Sequence, residues 1–198
     1  MAPRPTVKAE REEQILEAAM LCFARKGYHV TTMDDIAAEL PFSKGLLYYY
    51  FKTKRDLFLA ILDSWMEESL ADWDEEMISD ETATVQLQQC LDYGVGLLTR
   101  STDLARVEFE FYAELGRDPT ISKTLQSLFA AFRAAIKAIL DRGIASGEFR
   151  AVNTDTLAAV VFGIFEGLSL QAVVEPDVVN WETIGQELFD MVMHGLKS

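Results

Sequence analysis

Residues 31–54 read TTMDDIAAELPFSKGLLYYYFKTK, and this stretch decides the fold. Thr32 is a good N-cap, and Asp35, three residues on, can reach back to the free amides as in a capping box. Met33, Ile36, Ala37 and Leu40 recur at helical spacing, so a short helix buries one face. Pro41 stops it, because proline has no amide to donate and disfavours helical geometry at Leu40. Ser43 caps a second short helix, with Leu47 and Phe51 on one face and Lys44, Leu46, Tyr48, Tyr49 and Tyr50 over the rest. Three consecutive tyrosines on so short a helix cannot all be core, and Lys44, Lys52, Lys54 and Arg55 surround them. A short helix, a turn and a short helix ending in tyrosines and lysines make a helix-turn-helix suited to phosphates and a groove. The blander alternative is a helical hairpin whose tyrosines pack on a neighbour.

Thr32, Ile36, Ala37, Ser43, Gly45, Leu47, Tyr48, Tyr50, Phe51, Lys54 and Leu57 also fall in register with a known pattern. The segment resembles the DNA-binding unit of TetR-type transcriptional repressors, whose usual form is T-x-x-x-I-A-x-x-x-G-V-S-x-G-x-L-Y-x-Y-F-x-x-K-x-x-L. The resemblance covers roughly the first third of the chain. It implies double-stranded operator DNA as a partner and places Thr32, Lys44, Gly45, Leu46, Tyr48, Tyr49, Tyr50, Lys52 and Lys54 at the interface. Lys44 and Tyr49 are expected at base edges, and Tyr48, Tyr50, Lys54 and Thr32 on phosphates. Two departures bear on the turn: Pro41 stands where the family has glycine, and Phe42 where it has a small branched residue. Proline cannot adopt the positive φ that glycine supplies, so the turn must be made differently. Leu46 replaces a frequent threonine and offers only an apolar contact, for example to a thymine methyl.

A net charge of −14 looks wrong for a nucleic-acid binder until it is split along the chain. Residues 1–55 hold nine basic and seven acidic residues, a net +2, whereas residues 56–198 hold nine basic and 25 acidic, a net −16. Phosphate repels the second surface, so DNA must be met by the N-terminal end. The arm at residues 1–8 reads as disordered, with Arg4 and Lys8 available for phosphate.

Helix one is expected over 9–26, with Ile15, Ala18, Ala19, Cys22 and Phe23 as its stripe and Gly27 as its stop. It closes a three-helix domain at 1–55. Thr53, with Asp56 at the third position, caps a long fourth helix whose apolar face runs from Leu57 to Trp73. Its opening presents Lys54 to the DNA and its far end enters the second domain, 56–198, as a switch requires. Helices are expected at 82–99, 103–116, 119–146, 154–174 and 180–196, with no period-2 strand pattern anywhere. The expected fold is therefore all-α, an N-terminal helix-turn-helix domain followed by a larger helical ligand-binding and dimerisation domain.

The run 157–174 is the most apolar, but Glu166, Ser169 and Gln171 interrupt it, so it is not read as a membrane span. Ala159, Gly163 and Gly167 form a small-residue seam at intervals of four. With Leu128 and Phe132 of the preceding helix they are the expected interface of a homodimer, resembling TetR-type dimers. Burial within one subunit is the alternative. Residues 104–115 mix aromatics with carboxylates; Glu108, Phe109 and Tyr112 there, with Phe162, Phe165 and Glu166, are candidates for a small lipophilic effector, cationic or not. Two distant cysteines in helical patterns argue for a reducing cytoplasm. No nucleophile elbow, phosphate loop, zinc spacing or Glu-x-x-His pair is present, so no enzyme, metal or cofactor is expected. The function expected is a ligand-released homodimeric repressor on a palindromic operator; the rival is a helical ligand-binding or protein-interaction module without sequence-specific DNA binding.

Overall fold

In the computed structural model, residues 7–77, 81–100 and 102–197 are described, with the side chains of 68–77, 100 and 102–104 set aside. Among them lie nine helices: α1 (Val7–Lys26), α2 (Met33–Ala38), α3 (Lys44–Tyr50), α4 (Lys54–Met77), α5 (Ala83–Arg100), α6 (Thr102–Ala113), α7 (Pro119–Ser146), α8 (Thr154–Val174) and α9 (Ile184–Leu196). No strand occurs among the described residues. The fold is all-α. The chain divides into two compact units, Met1–Glu67 with Arg106–Thr124, and Glu68–Ala105 with Leu125–Ser198. This grouping differs from a cut after residue 55, because α4, α6 and α7 each give residues to both units.

In the first unit α1 buries Ile15, Ala19 and Phe23, and Ile36 of α2, Leu47 of α3 and Leu57, Phe58 and Leu62 of α4 are fully buried. Phe58 stacks between Tyr28, at 4.0 Å, and Phe111 of α6, at 4.2 Å. Burying such a ring contributes about 1.5–3 kcal/mol. Gly27 ends α1 with φ +82°, its N–H donating to the Phe23 carbonyl at 2.8 Å. Only glycine adopts that conformation readily. A Cβ there would also lie 3.1 Å from Glu110 Oε1, whose partner oxygen accepts the Tyr28 N–H at 3.1 Å. The loop after α1 is thus built against α6.

In the second unit α5 packs against α8 and α9. Its core includes the fully buried Leu87, Leu91, Leu140, Val161 and Leu196. Gly94 admits the Phe165 ring, which a Cβ would meet at 2.5 Å. Glu148 caps α5 from afar, accepting the Thr84 and Ala83 N–H groups at 2.9 and 3.1 Å and the Thr84 hydroxyl at 2.9 Å. Those bonds, the Thr84 amide foremost, hold its pKa down to about 2. Each unit keeps one buried cysteine, Cys22 in the first and Cys90 in the second. Burial pushes the Cys90 thiol up to about 12.

α7 and α8 run over the residues that Pro119 and Asn153 mark out, and the Asn153 side chain accepts the Thr156 N–H at 2.9 Å. Elsewhere the ends shift. α1 already begins at Val7, so Lys8 is helical and faces Glu12 at 3.9 Å, whereas Arg4 lies outside the described residues. α6 stops at Ala113, short of residue 116, before a turn closed by Gly116 at φ +79°. α9 starts at Ile184 and not at residue 180, because the Asn180 side chain takes the Glu182 N–H at 3.1 Å and holds a turn instead. The side chains of Leu70 and Trp73 lie outside the described set.

Candidate nucleic-acid interface

α2 opens with the capping box: the Asp35 N–H donates to Thr32 Oγ1 at 3.1 Å, and the Thr32 N–H to Asp35 Oδ2 at 2.8 Å. The Thr32 hydroxyl also donates to Asp35, at 2.7 Å. Lys26 lies 2.5 Å from the same carboxylate, and that bond first, Thr32 second, holds the Asp35 pKa far below its usual value. α2 then ends at Ala38, before Pro41. Among the described residues no non-glycine takes a positive φ, so the turn at Pro41 is made without the left-handed residue. Phe42 fills out that turn, half-buried, with the Arg11 guanidinium 5.0 Å over its ring.

Ser43 precedes α3 as its N-cap, the expected position, its backbone extended and its side chain making no capping bond; the Leu46 and Leu47 N–H groups reach its carbonyl. Leu47 anchors the helix and Leu46 is half-buried. Lys44, Gly45 and Tyr49 are exposed, Tyr49 at 71%, and the half-buried Tyr50 meets the Tyr49 ring edge-on at 5.3 Å. Lys44 sits 5.7 Å from the Tyr48 ring and 2.5 Å from Asp34, whose bond raises its pKa. Lys52 folds back to the Tyr48 carbonyl at 2.7 Å. A solvent face of tyrosines and cations over a leucine anchor is what a groove-reading helix needs.

Two expected phosphate holders are placed differently. Lys54 donates to the carbonyls of Tyr28, Thr31 and His29 at 2.5, 2.7 and 3.0 Å, and its ammonium lies 4.7 Å from the Tyr28 ring. Burial lowers its pKa. All three protons of Lys54 and both donors of Thr32 are committed inside the chain, so these residues shape the loop and the start of α2. Thr53 and Asp56 form the expected box at α4, with bonds of 3.0 and 3.1 Å. Sequence reasoning missed Tyr28, Asp34 and Glu110, and the Arg55–Asp118 pair, 2.5 and 3.0 Å across 63 residues. The one readable signal was an opposite charge in the first turn of each short helix, Asp34 and Lys44.

The other candidates fall into separate groups. In the first unit the Tyr112 hydroxyl donates to the buried Glu108 at 2.7 Å, and Phe109 meets the Tyr112 ring at 5.8 Å. In the second, Phe162 contacts Phe129 and Phe132 at 4.8 and 5.9 Å, Phe165 lies on Gly94, and Glu166 is half-buried. Along α8, Ala159, Val160, Gly163, Gly167, Leu170 and Val174 are exposed, and a Cβ on either glycine would meet nothing within 4 Å. Leu128 is corrected: it is 1% exposed, closed into its own chain, and leaves no surface for a partner. Among the described residues α8 is the one helix long and apolar enough to cross a membrane.

The profile "Bacterial regulatory proteins, tetR family" matches residues 15–61, and "BetI-type transcriptional repressor, C-terminal" matches 83–196. The chain is 30% identical to the HTH-type transcriptional regulator YfiR of Bacillus subtilis over 172 residues, 85% of this chain and 83% of that one. It is 28% identical to the HTH-type transcriptional regulator QacR of Staphylococcus aureus over 165 residues, 79% and 83% of the two chains. Among solved structures it shares its fold with a regulator from Saccharomonospora viridis in complex with choline, at a TM-score of 0.85, 24% identity and 94% and 97% coverage. It shares it also with FadR from Bacillus subtilis in complex with stearoyl-CoA, at 0.79, 21% identity and 93% and 99% coverage. These relatives are transcriptional regulators and none is an enzyme.

Proposed function

Because the chain belongs to the TetR family of bacterial transcriptional regulators, we propose that it is a homodimeric repressor that grips a palindromic operator and is released by a small lipophilic effector. The exposed face of α3 carries this reading. Lys44 and Tyr49 reach base edges, Tyr48, Tyr50 and Lys52 hold phosphates, and Gly45 and Leu46 lie close to the groove. α8 supplies the second half of the device. Its uncovered stripe of Ala159, Gly163 and Gly167 meets the same stripe on another copy, with Phe132 at its side, so two recognition helices are held together. Covering an apolar face with protein removes the need for lipid, and the regulator works in the cytoplasm on its DNA.

The effector is drawn from small lipophilic molecules, cationic or not; two structures of this fold hold choline, a cation, and stearoyl-CoA, whose acyl chain is lipophilic. Its contacts are sought among Glu108, Phe109 and Tyr112 or among Phe162, Phe165 and Glu166. The deciding experiment is selection of bound duplexes from a random pool, followed by titration at several salt concentrations. Enrichment of an inverted repeat, bound with steep salt dependence, supports the repressor; retention of no sequence above the pool supports the protein-interaction module. Lys44→Ala should then relax preference at one position of each half-site, at a cost of roughly 1–3 kcal/mol.

A further inference from the structure

Lys44, the first residue of α3, is already held by an acid before any DNA arrives. Its ammonium lies 2.5 Å from Asp34 Oδ1, in the first turn of α2 across the turn at Pro41. Both ends remain in water, Lys44 with 53% of its side chain exposed and Asp34 with 70%. Two cations in the last turn of α1 are also paired, Lys26 with Asp35 at 2.5 Å and Arg25 with Glu39 at 3.5 Å. Three of the nine cations of residues 1–55 are thus in contact with acids that the net +2 already counts.

An exposed ion pair adds little to stability, but it changes what Lys44 can be offered. A phosphate that takes Lys44 must bring a full negative charge up to Asp34, and the two carry like charge. A base edge, such as the O6 and N7 of guanine, offers acceptors without a net charge, so Lys44 can turn to it while Asp34 stays close. The same carboxylate thus disfavours backbone contacts more than base contacts. Because phosphate contacts supply nearly all non-specific affinity, its effect falls mainly on non-operator DNA.

We propose that Asp34 is a specificity-determining residue of this regulator, which withholds Lys44 from phosphates and leaves it to base edges. The inference rests on the reading of the chain as a DNA-binding regulator with Lys44 in the groove. The test uses the full chain as wild type, Asp34→Asn, Lys44→Gln and the double variant, each titrated with a selected operator duplex and a scrambled duplex over a salt series. Asp34→Asn should raise affinity for the scrambled duplex about five- to tenfold at about 0.1 M salt and steepen its salt slope by about one unit. Operator affinity should rise less, so the ratio of the two affinities falls several-fold, and both effects should vanish in the Lys44→Gln background. Equal gains on both duplexes, a gain that survives Lys44→Gln, or no change each overturn the inference. So does a drop in operator affinity, which would make Asp34 a base contact in its own right. A wild type that binds neither duplex overturns the regulator reading along with it, and that pattern is distinct from the others.

Discussion

α3 and α8 both leave uncovered what a solitary folded chain would cover, and they do so with opposite chemistry. α3 shows water a tyrosine at 71% exposure and a lysine already in contact with an acid; α8 shows it valines, a leucine and glycines. Tyrosine and lysine are at home against phosphate and base edges, whereas a stripe of small apolar residues suits the close approach of another helix. On the proposed reading the first face meets nucleic acid and the second another copy of the chain. That reading also locates the energetics. α3 gains through charge and so through salt, α8 through packing and so through shape.

The packing half of that contrast is broken most forcefully at Gly163. A Cβ there meets nothing within 4 Å in its own chain, so the subunit should fold as before. Across a helix–helix seam the same side chain overpacks, at a cost of roughly 1–3 kcal/mol or more. Light scattering should report monomers, and operator binding should weaken because two half-sites are no longer held together. A Gly163→Leu variant that remains dimeric would move the interface off this stripe.

The electrostatic half is sharpened by treating Lys52 and Lys54 differently. Lys54→Ala removes the donor that three loop carbonyls share, and should lower stability by roughly 1–3 kcal/mol with the salt slope of DNA binding unchanged. Lys52→Ala should do the reverse, leaving the denaturation midpoint in place and reducing the slope by about one unit. If Lys54→Ala lowers the slope and spares stability, its carbonyl contacts yield to phosphate on DNA.

Pro41→Gly has a smaller expected effect. The turn contains no positive φ and Phe42 is seated under Arg11, so proline already fits its backbone. Glycine adds freedom to the unfolded chain and should cost about 0.4–1 kcal/mol in chemical denaturation. A more stable, tighter-binding glycine variant would show the turn to be strained.

Acid should soften both units by the least amount and in one window. The Arg55 guanidinium, with help from the Thr120 and Ile121 amides, lowers the Asp118 pKa from 3.8 to about 2, and the amides at the start of α5 lower Glu148 from 4.5 to about 2. Both pKa values are depressed in the folded state, so the stability is fully present above the unfolded values and is lost as pH falls toward about 2. Denaturation midpoints measured down that range should decline, and Asp118→Asn should flatten part of the decline.

Local chemistry was the legible part of this chain. The boxes at Thr32 and Thr53, the Gly27 stop and the bounds of α7 and α8 follow from neighbours within four residues, which the sequence displays directly. The bonds of Lys54 were not legible, because its partners are backbone carbonyls 23–26 residues earlier, and carbonyls leave no mark in residue identity. Arg55 and Asp118 are complementary in charge, but 63 residues separate them and many other acids compete. Leu128 and Ala159 read alike as apolar helix positions; which one closes into the chain's own core depends on helix rotation, which periodicity fixes only approximately.

The two cysteines divide themselves between the two units, each buried and unpaired. A thiol reagent therefore finds nothing to modify on the folded molecule, and labelling becomes a clock for opening. Peptide mapping of the labelled sites would time the DNA-binding unit through Cys22 and the larger unit through Cys90, in the same unaltered chain. Operator DNA that slows only the first clock, or a ligand that slows only the second, would reveal which half each one holds shut.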